Sequence, residues 1–379
     1  MSMILSLVIF IIGLYAFILT HANKRYLSDL QHTVQPETSS ELVSVLIPAR
    51  NEEKTIGPCV RSILQQNHKN LEILILDDGS EDHTASVVQS LAQKDSRIRL
   101  IQGKPLEKGW RGKLYAMEQL YEESKGAYLL FTDADTIHTP NSITYGLSLL
   151  KKHNASLLSG YPKQIHKNIW IELLVSAMLF NPTLFIPFKL QERIQLPLFA
   201  MAIGQYLLLK RTALEHMDGF SHIKHEICDD VQLARSCTRF HEKQIFAPMA
   251  EVLSCEMFPS FKTAFHGLER SIHGVIKRGW VGTFLILLIV LALLLLAFSP
   301  VLTVYFAFQS ASLLPCLLSL VGTLLFLAAW IINARFFQFS LKSSFFAHFT
   351  IFSIILMYLH GLFLVHTGRG FDWKGRKIS

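Results

Sequence analysis

Three pairs of acids and one lysine carry the chemistry that this chain has to offer. Leu129-Leu130-Phe131-Thr132-Asp133-Ala134-Asp135 is a short apolar run ending in two carboxylates one residue apart. A hard divalent cation that also holds a diphosphate needs one or two carboxylates and leaves its other positions to phosphate oxygens. Asp133 and Asp135 have the chemistry for that task, and a solvated strand-to-loop turn accounts for them equally well. Asp77-Asp78-Gly79-Ser80 closes a second apolar run, where a carboxylate is placed for a ribose or a base edge and Gly79 permits a sharp turn. Lys108-Gly109-Trp110-Arg111-Gly112-Lys113 opens a helical stretch from Leu114 to Glu123. Such a segment cradles an anion, or is a flexible basic loop. Asp229-Asp230 precedes a helical pattern from Val231 to Phe240 and equally fits its N-cap.

The elements around these residues alternate. Leu42 to Ile47 reads as a strand, Thr55 to Gln66 as a helix, Leu71 to Leu76 and Arg97 to Gln102 as further strands. Strand, turn, helix, strand is the pattern of a parallel sheet, and carboxylates at its C-terminal strand ends sit where open α/β sheets bind ligands. Around this core, half of the 379 residues are apolar. Residues 1–22 form an uncleaved membrane anchor, with Lys24 and Arg25 on the flank expected to face the cytoplasm. Residues 23–40 read as a linker, 41–255 as the α/β domain, and 256–280 as an interfacial amphipathic helix mixing apolar positions with Lys262, Arg270, Lys277 and Arg278. Residues 281–368 hold three apolar segments, about Val281 to Phe306, Leu313 to Ile332 and Phe345 to Val365, followed by a basic tail, 369–379. From Val281 onward there are six Lys/Arg and one Asp. Three crossings would leave Arg369, Lys374, Arg376 and Lys377 outside, against the positive-inside rule, unless one segment is re-entrant. Trp170 to Phe188 is broken by Glu172, Asn181, Pro182 and Pro187. It reads as a helix pair at the membrane surface walling an apolar groove, or as ordinary core packing.

The formal charge of +7 has no Arg/Lys stripe interleaved with aromatics, so nucleic acid is not the expected partner and an anionic bilayer is. Five cysteines without a Cys-x-x-Cys point to reduced, cytosol-facing thiols and away from structural zinc. His222, His225 and Glu226 match no zinc spacing.

Taken in order, Pro48-Ala49-Arg50-Asn51-Glu52, Asp77-Asp78-Gly79-Ser80, Gly112-Lys113, Asp133-Ala134-Asp135, Met217-Asp218-Gly219-Phe220 and Asp229-Asp230-Val231-Gln232-Leu233 resemble a family 2 glycosyltransferase. The resemblance spans roughly Ser44 to Arg239. It implies an α/β GT-A domain, a mostly parallel sheet flanked by helices, with one N-terminal and about three C-terminal transmembrane helices. It also implies roles. Pro48, Arg50, Glu52 and Asp78 bind the UDP-sugar, Lys113 lies near the base or diphosphate, and Asp133 and Asp135 carry Mg²⁺ or Mn²⁺. Gly204, Asp229 and Arg270 fall on the acceptor side, and Asp230 is the catalytic base, with Asp229 replacing the family's usual Glu. Gly267-Leu268-Glu269-Arg270-Ser271 departs from the Gln-x-x-Arg-Trp motif of processive relatives, which implies a single sugar transfer. Trp373-Lys374-Gly375-Arg376 resembles the carotenoid-modifying branch of the family. That branch implies glucose transfer to a C30 carotenoid carboxylate in staphyloxanthin-type pigment synthesis, with other pigment-pathway enzymes as partners. Another lipid acceptor, diacylglycerol or a polyprenyl phosphate, is the alternative; a non-catalytic membrane scaffold is a third reading.

Overall fold

The N-terminal apolar run forms α1 (Ser2–His32), which continues through Lys24 and Arg25 into the stretch expected to be linker. The computed structural model describes residues 2–32, 40–275, 280–309, 312–373 and 376–378; most of the expected linker and part of the basic tail lie outside them. Two units result, an α/β unit of residues 27–165 and 188–257 and a helical unit of residues 1–26, 166–187 and 258–379.

The α/β unit begins with β1 (Val43–Ala49), α2 (Ile56–Leu64), β2 (Leu71–Asp77), α3 (Thr84–Ala92), β3 (Ile98–Gln102), α4 (Gly112–Glu123) and β4 (Tyr128–Phe131). Then come β5 (Thr136–His138), α5 (Ser142–Lys152), β6 (Leu157–Tyr161) and β7 (Lys163–Gln164). After α6 (Ile169–Phe185), which belongs to the helical unit, the chain returns as α7 (Phe188–Ile194), β8 (Leu207–Lys210), α8 (Arg211–His216), α9 (Asp229–Arg239), β9 (Gln244–Pro248) and β10 (Leu253–Cys255). Seven strands make one sheet in the order β3-β2-β1-β4-β8-β6-β9. Only β8 runs against its neighbours. The strands are nearly continuous apolar runs because both faces are covered. Leu46, Leu74, Phe131, Leu157 and Leu207 are buried in one cluster with Leu114, Met117 and Leu120 of α4 and Leu233 and Cys237 of α9. Removing these side chains from water contributes most of what holds the unit together. The helices whose first turns carry Lys113 and Asp230 are therefore fixed to the sheet from below.

In the helical unit α10 (Phe261–Val275) precedes α11 (Trp280–Gln309), α12 (Leu314–Phe336), α13 (Leu341–Ser344), α14 (Ala347–His366) and a hairpin of β11 (Phe371–Trp373) with β12 (Arg376–Ile378). Among the described residues four helices are long and apolar enough to cross a membrane: α1, α11, α12 and α14. The acid that interrupts the 170–188 run has a structural task. Glu172 is buried on α6 and accepts the Ser340 amide at 2.6 Å. On α10, Glu269 is fully buried and accepts Nδ1 of His360 at 2.5 Å and of His266 at 3.2 Å. A simple amphipathic stripe does not anticipate a buried carboxylate there.

Candidate active site

The polar residues gather where the strands end. β1 and β2 finish in register at Ala49 and Asp77, and the loops that follow are stitched together. The Asp78 amide donates to the Ala49 carbonyl at 2.8 Å, and Arg50 Nη1 donates to the Asp78 carbonyl at 2.7 Å. The Glu52 amide donates to Thr84 Oγ1 at 2.7 Å, and Thr55 Oγ1 donates to the Glu52 carboxylate at 2.6 Å. Two left-handed positions, Asn51 (φ 54°) and Gly79 (φ 68°), turn the two loops. Pro48, Arg50, Glu52 and Asp78 thus form one rim, beside β1. The buried acid of the second pair is Asp77, which accepts the Ser80 amide and serves the turn.

The next strand over, β4, delivers Asp133 and Asp135 just past its end. Opposite them are the first turns of two helices. α4 begins at Gly112, two residues earlier than the sequence pattern suggests, so Lys113 is inside its first turn. A cation there opposes the helix dipole. Two carboxylates offset that cost: Lys113 Nζ lies 2.9 Å from Asp133 Oδ1 and 3.2 Å from Asp229 Oδ2. These carboxylates raise the Lys113 ammonium pKa well above its ordinary value despite the opposing effect of burial. α9 begins at Asp229, and its N-cap is Cys228. Neither acid of the pair is the cap; both sit in the first turn, where the helix dipole favours negative charge.

Asp230 is held by two amides, accepting Gly204 N–H at 2.9 Å on Oδ2 and its neighbour Val231 N–H at 2.7 Å on Oδ1. Burial and the adjacent Asp229 charge push its carboxyl up to about 6, against the pull of Lys113 and of the two amides. Gly204 stands in the turn before β8. A Cβ at that position would lie 2.9 Å from Lys113 Nζ and 3.7 Å from both Asp133 Oδ2 and Asp230 Oδ2. Asp133, Lys113, Asp229, Asp230 and Gly204 therefore meet around one point. Arg270 belongs to the helical unit, on α10.

Three supporting features were not legible in the sequence. Behind Asp135 lies a buried polar layer. The Cys255 thiol bonds Asp135, Gln205 Nε2 donates to Cys255 Sγ at 3.0 Å, and Thr132 Oγ1 donates to the Gln205 carbonyl at 2.9 Å. Burial pushes the Cys255 and Cys59 thiols up, so both are neutral beside the acids. His138, bonded to Thr132 and Ser142, has its imidazole pushed down to about 3 by burial and is neutral too. The Gly-Phe loop is anchored by Glu118 of α4, which accepts the Phe220 amide at 2.6 Å, while Phe220 packs edge-on against Phe131 of β4. Long-range partners such as Cys255 and Glu118 leave no local signal.

The donor set suits a hard divalent cation. Asp133 and Asp135 offer oxygens only, and the nearby thiols are protonated. Among the described residues no group of three or more His, Cys, Asp or Glu could hold a metal ion. Two carboxylates with room for a ligand's phosphate oxygens are the arrangement such a cation accepts.

Residues 44–218 match the family described as glycosyl transferase family 2. The chain is 34% identical over 127 residues to the Escherichia coli UDP-Glc:alpha-D-GlcNAc-diphosphoundecaprenol beta-1,3-glucosyltransferase WfgD, covering 34% of this chain and 48% of that protein. It is 33% identical over 113 residues to the 4,4'-diaponeurosporenoate glycosyltransferase of Staphylococcus haemolyticus, covering 30% and 29%. These matches span less than half the length of either relative. In three dimensions it is similar to the mannosyltransferase PcManGT from Pyrobaculum calidifontis, solved with GDP-Man and Mn²⁺, with a TM-score of 0.58 and 17% identity over 94% of this chain and 99% of that one. At that identity the likeness speaks for the fold, a GT-A-like α/β unit with accompanying helices. By the family match over residues 44–218 and the ordered motifs within it, the α/β unit carries a glycosyltransferase family 2 domain.

Proposed function

We propose that the protein moves a hexose from a UDP-sugar to a lipophilic acceptor, with inversion at the anomeric carbon. The observation that carries this reading is the meeting of Asp133, Lys113, Asp229, Asp230 and Gly204 at the C-terminal edge of the sheet. Pro48, Arg50, Glu52 and Asp78 form the rim that would take the nucleotide, and Lys113 is within reach of a diphosphate beside Asp133. Asp133 and Asp135 would hold Mg²⁺ or Mn²⁺, which supplies Lewis-acid stabilisation of the departing UDP. Asp230 is fixed by the Gly204 and Val231 amides; with a hydroxyl acceptor it takes the hydroxyl proton as that oxygen bonds the anomeric carbon and the bond to UDP breaks, and with an already ionised carboxylate acceptor it orients the sugar hydroxyls instead. Gly204 leaves the space in which donor and acceptor meet, and Asp229 holds Lys113 from the acceptor side. Arg270 on the interfacial helix is assigned to the acceptor headgroup.

For the acceptor, similarity to the 4,4'-diaponeurosporenoate enzyme and the Trp-Lys-Gly-Arg tail support a C30 carotenoid carboxylate. A second reading, a polyprenyl-diphosphate-linked sugar, is supported by the relatives that act on diphosphoundecaprenol-linked acceptors. The apolar helices support a multi-pass protein of the cell membrane with its catalytic domain in the cytoplasm, next to the nucleotide-sugar pool. The test is transfer from labelled UDP-glucose by the detergent-purified chain with Mn²⁺, offered the carotenoid acid and the polyprenyl-linked sugar separately. A labelled carotenoid ester supports the first reading. A labelled polyprenyl product replaces it with the second, and absence of both transfer and UDP-sugar hydrolysis removes the catalytic reading.

A further inference from the structure

We infer that Lys113 competes with the cation for Asp133 and makes cation binding conditional on the donor. This deepens the reading of Asp133 and Asp135 as the cation carboxylates. The ammonium is 2.9 Å from Asp133 Oδ1, an oxygen that a cation on this pair would use, and 3.2 Å from Asp229 Oδ2. The fold makes room for it there: a Cβ at position 204 would lie 2.9 Å from Nζ, so the glycine lets the ammonium sit beside Asp133 and Asp229 without shifting. The side chain is only a quarter exposed, so water screens its charge poorly.

A divalent cation arriving alone meets a carboxylate already compensated and a positive charge a few ångströms away. It must displace Lys113 from Asp133 or bind against its repulsion. A nucleoside diphosphate changes the balance, because its phosphate oxygens offer new partners to both the ammonium and the cation. Lys113 then turns from Asp133 to the diphosphate while keeping Asp229, and the cation takes the oxygen it leaves. Lys113 is thus a positioning residue that couples two binding events, and coupling of this kind is reciprocal.

The test is Mn²⁺ binding to the full chain in detergent, followed by the loss of the free-ion electron paramagnetic resonance signal, first without nucleotide and then with UDP, against a UDP-only control. Lys113→Met should bind Mn²⁺ about tenfold more tightly than the unmodified protein when no nucleotide is present, a factor within the range of ordinary couplings. Lys113→Arg, which keeps the charge, should stay as weak as the unmodified protein. UDP should tighten Mn²⁺ binding strongly in the unmodified protein and much less in Lys113→Met. A merely structural lysine would lower affinity or leave it unchanged when removed, and either result overturns the inference. Lys113→Gln serves the same comparison should the Met variant not fold. If Asp133→Asn and Asp135→Asn bind Mn²⁺ with UDP as well as the unmodified protein does, the cation site itself is misassigned and the inference falls with it.

Discussion

At the scale of single residues, Asp230 is where charge, burial and chemistry meet. Its carboxyl is raised from 3.8 to about 6 by burial and by Asp229. A carboxyl with a raised folded-state pKa binds its proton more tightly folded than unfolded. It therefore favours the folded state fully below its unfolded value, and that contribution is lost as pH rises through about 6. Asp230→Asn has no such titration. The stability of the variant relative to the unmodified protein should accordingly climb between about pH 4 and pH 7, by on the order of 1–3 kcal/mol. Thermal melts in chelator at several pH values measure this, and a pH-independent difference would contradict the raised carboxyl. The same substitution separates the acceptors. A hydroxyl must lose its proton during attack, and a positioned base contributes about 10²- to 10⁴-fold. A carotenoid carboxylic acid, with a pKa of roughly 4, arrives already ionised. Asp230→Asn should then keep substantial transfer to the carboxylate acceptor and lose nearly all transfer to an alcohol of the same chain. Equal loss on both would reassign Asp230 to binding or sugar positioning.

At the scale of elements, the site depends on loops tied to helices by single polar contacts. Glu118 on α4 holds the Gly-Phe loop through the Phe220 amide, with Asp218 (φ 58°) and Gly219 (φ 64°) both in the left-handed region. Glu118→Ala leaves that amide without its acceptor, at a cost of roughly 1–3 kcal/mol. It also frees Phe220 from Phe131, the residue two before Asp133. The expected result is a lower melting temperature and a weaker apparent affinity for UDP-sugar together; a loss of stability alone would uncouple the loop from the donor site. In the helical unit, α1 and α12 cross at glycines. A Cβ on Gly13 would overlap the Gly322 carbonyl oxygen, and one on Gly322 would lie 2.7 Å from the Ile9 carbonyl oxygen. Backbone on both sides cannot move aside as a side-chain tip does. Gly322→Leu should therefore separate the two helices and cost about 1–3 kcal/mol or more of stability. Disulfide trapping between cysteines placed on α1 and α12 would report it, and unchanged trapping would refute the close crossing.

At the scale of the whole molecule, the contacts within the helical unit bear on the side of the tail. Thr303 on α11 bonds Ser319 on α12 at 2.7 Å, as expected for antiparallel neighbours a few residues apart in the chain. α14, however, starts beside the middle of that pair. His348 in its first turn lies against Ser299 of α11 and Phe326 of α12, and Phe352 packs on Phe298. Its later residues meet α10: His273 stacks on Tyr358 and packs on Phe371 of the terminal hairpin, and Glu269 bonds His360. α10 directly follows the α/β unit in the chain and directly precedes α11. The hairpin therefore shares the end of the helical unit at which α11 begins, and the segment from 337 to 366 goes in and comes back. Three full crossings would have put the tail on the far side. The packing instead predicts that Arg369, Arg376 and Lys377 lie at the end of the helical unit at which α11 begins, and the positive-inside rule puts that end on the cytoplasmic side. Cys228 is buried and labels poorly, so cysteines introduced at exposed Lys94, at Ser312 and at Arg369 are the useful probes. An impermeant thiol reagent on intact cells should label the second and spare the first and third. Labelling at position 369 would restore the three-crossing arrangement.

The sequence by itself determined what depends on local pattern. Apolar runs that end in acids make Asp78, Asp133 and Asp135 strand-end residues, a 3.6-residue period makes the helices, and long uncharged stretches make the candidate spans. The order of the motifs was enough for the family, because each is a short stretch of adjacent residues. What tertiary structure alone decided is which of them touch. Lys113 and Asp230 are 117 positions apart in the chain, and only the packing of α4 and α9 on one sheet brings both to Gly204. The anchoring of Phe220 by Glu118, the Cys255 contact with Asp135 and the contact of Glu269 with His360 all lie outside any local window. Each pairs groups distant in sequence, which a one-dimensional pattern of apolar and polar residues does not encode. The return of the tail has the same cause: hydropathy counts apolar segments, while the level at which α14 enters is set by the side chains of α11 and α12 against which it packs.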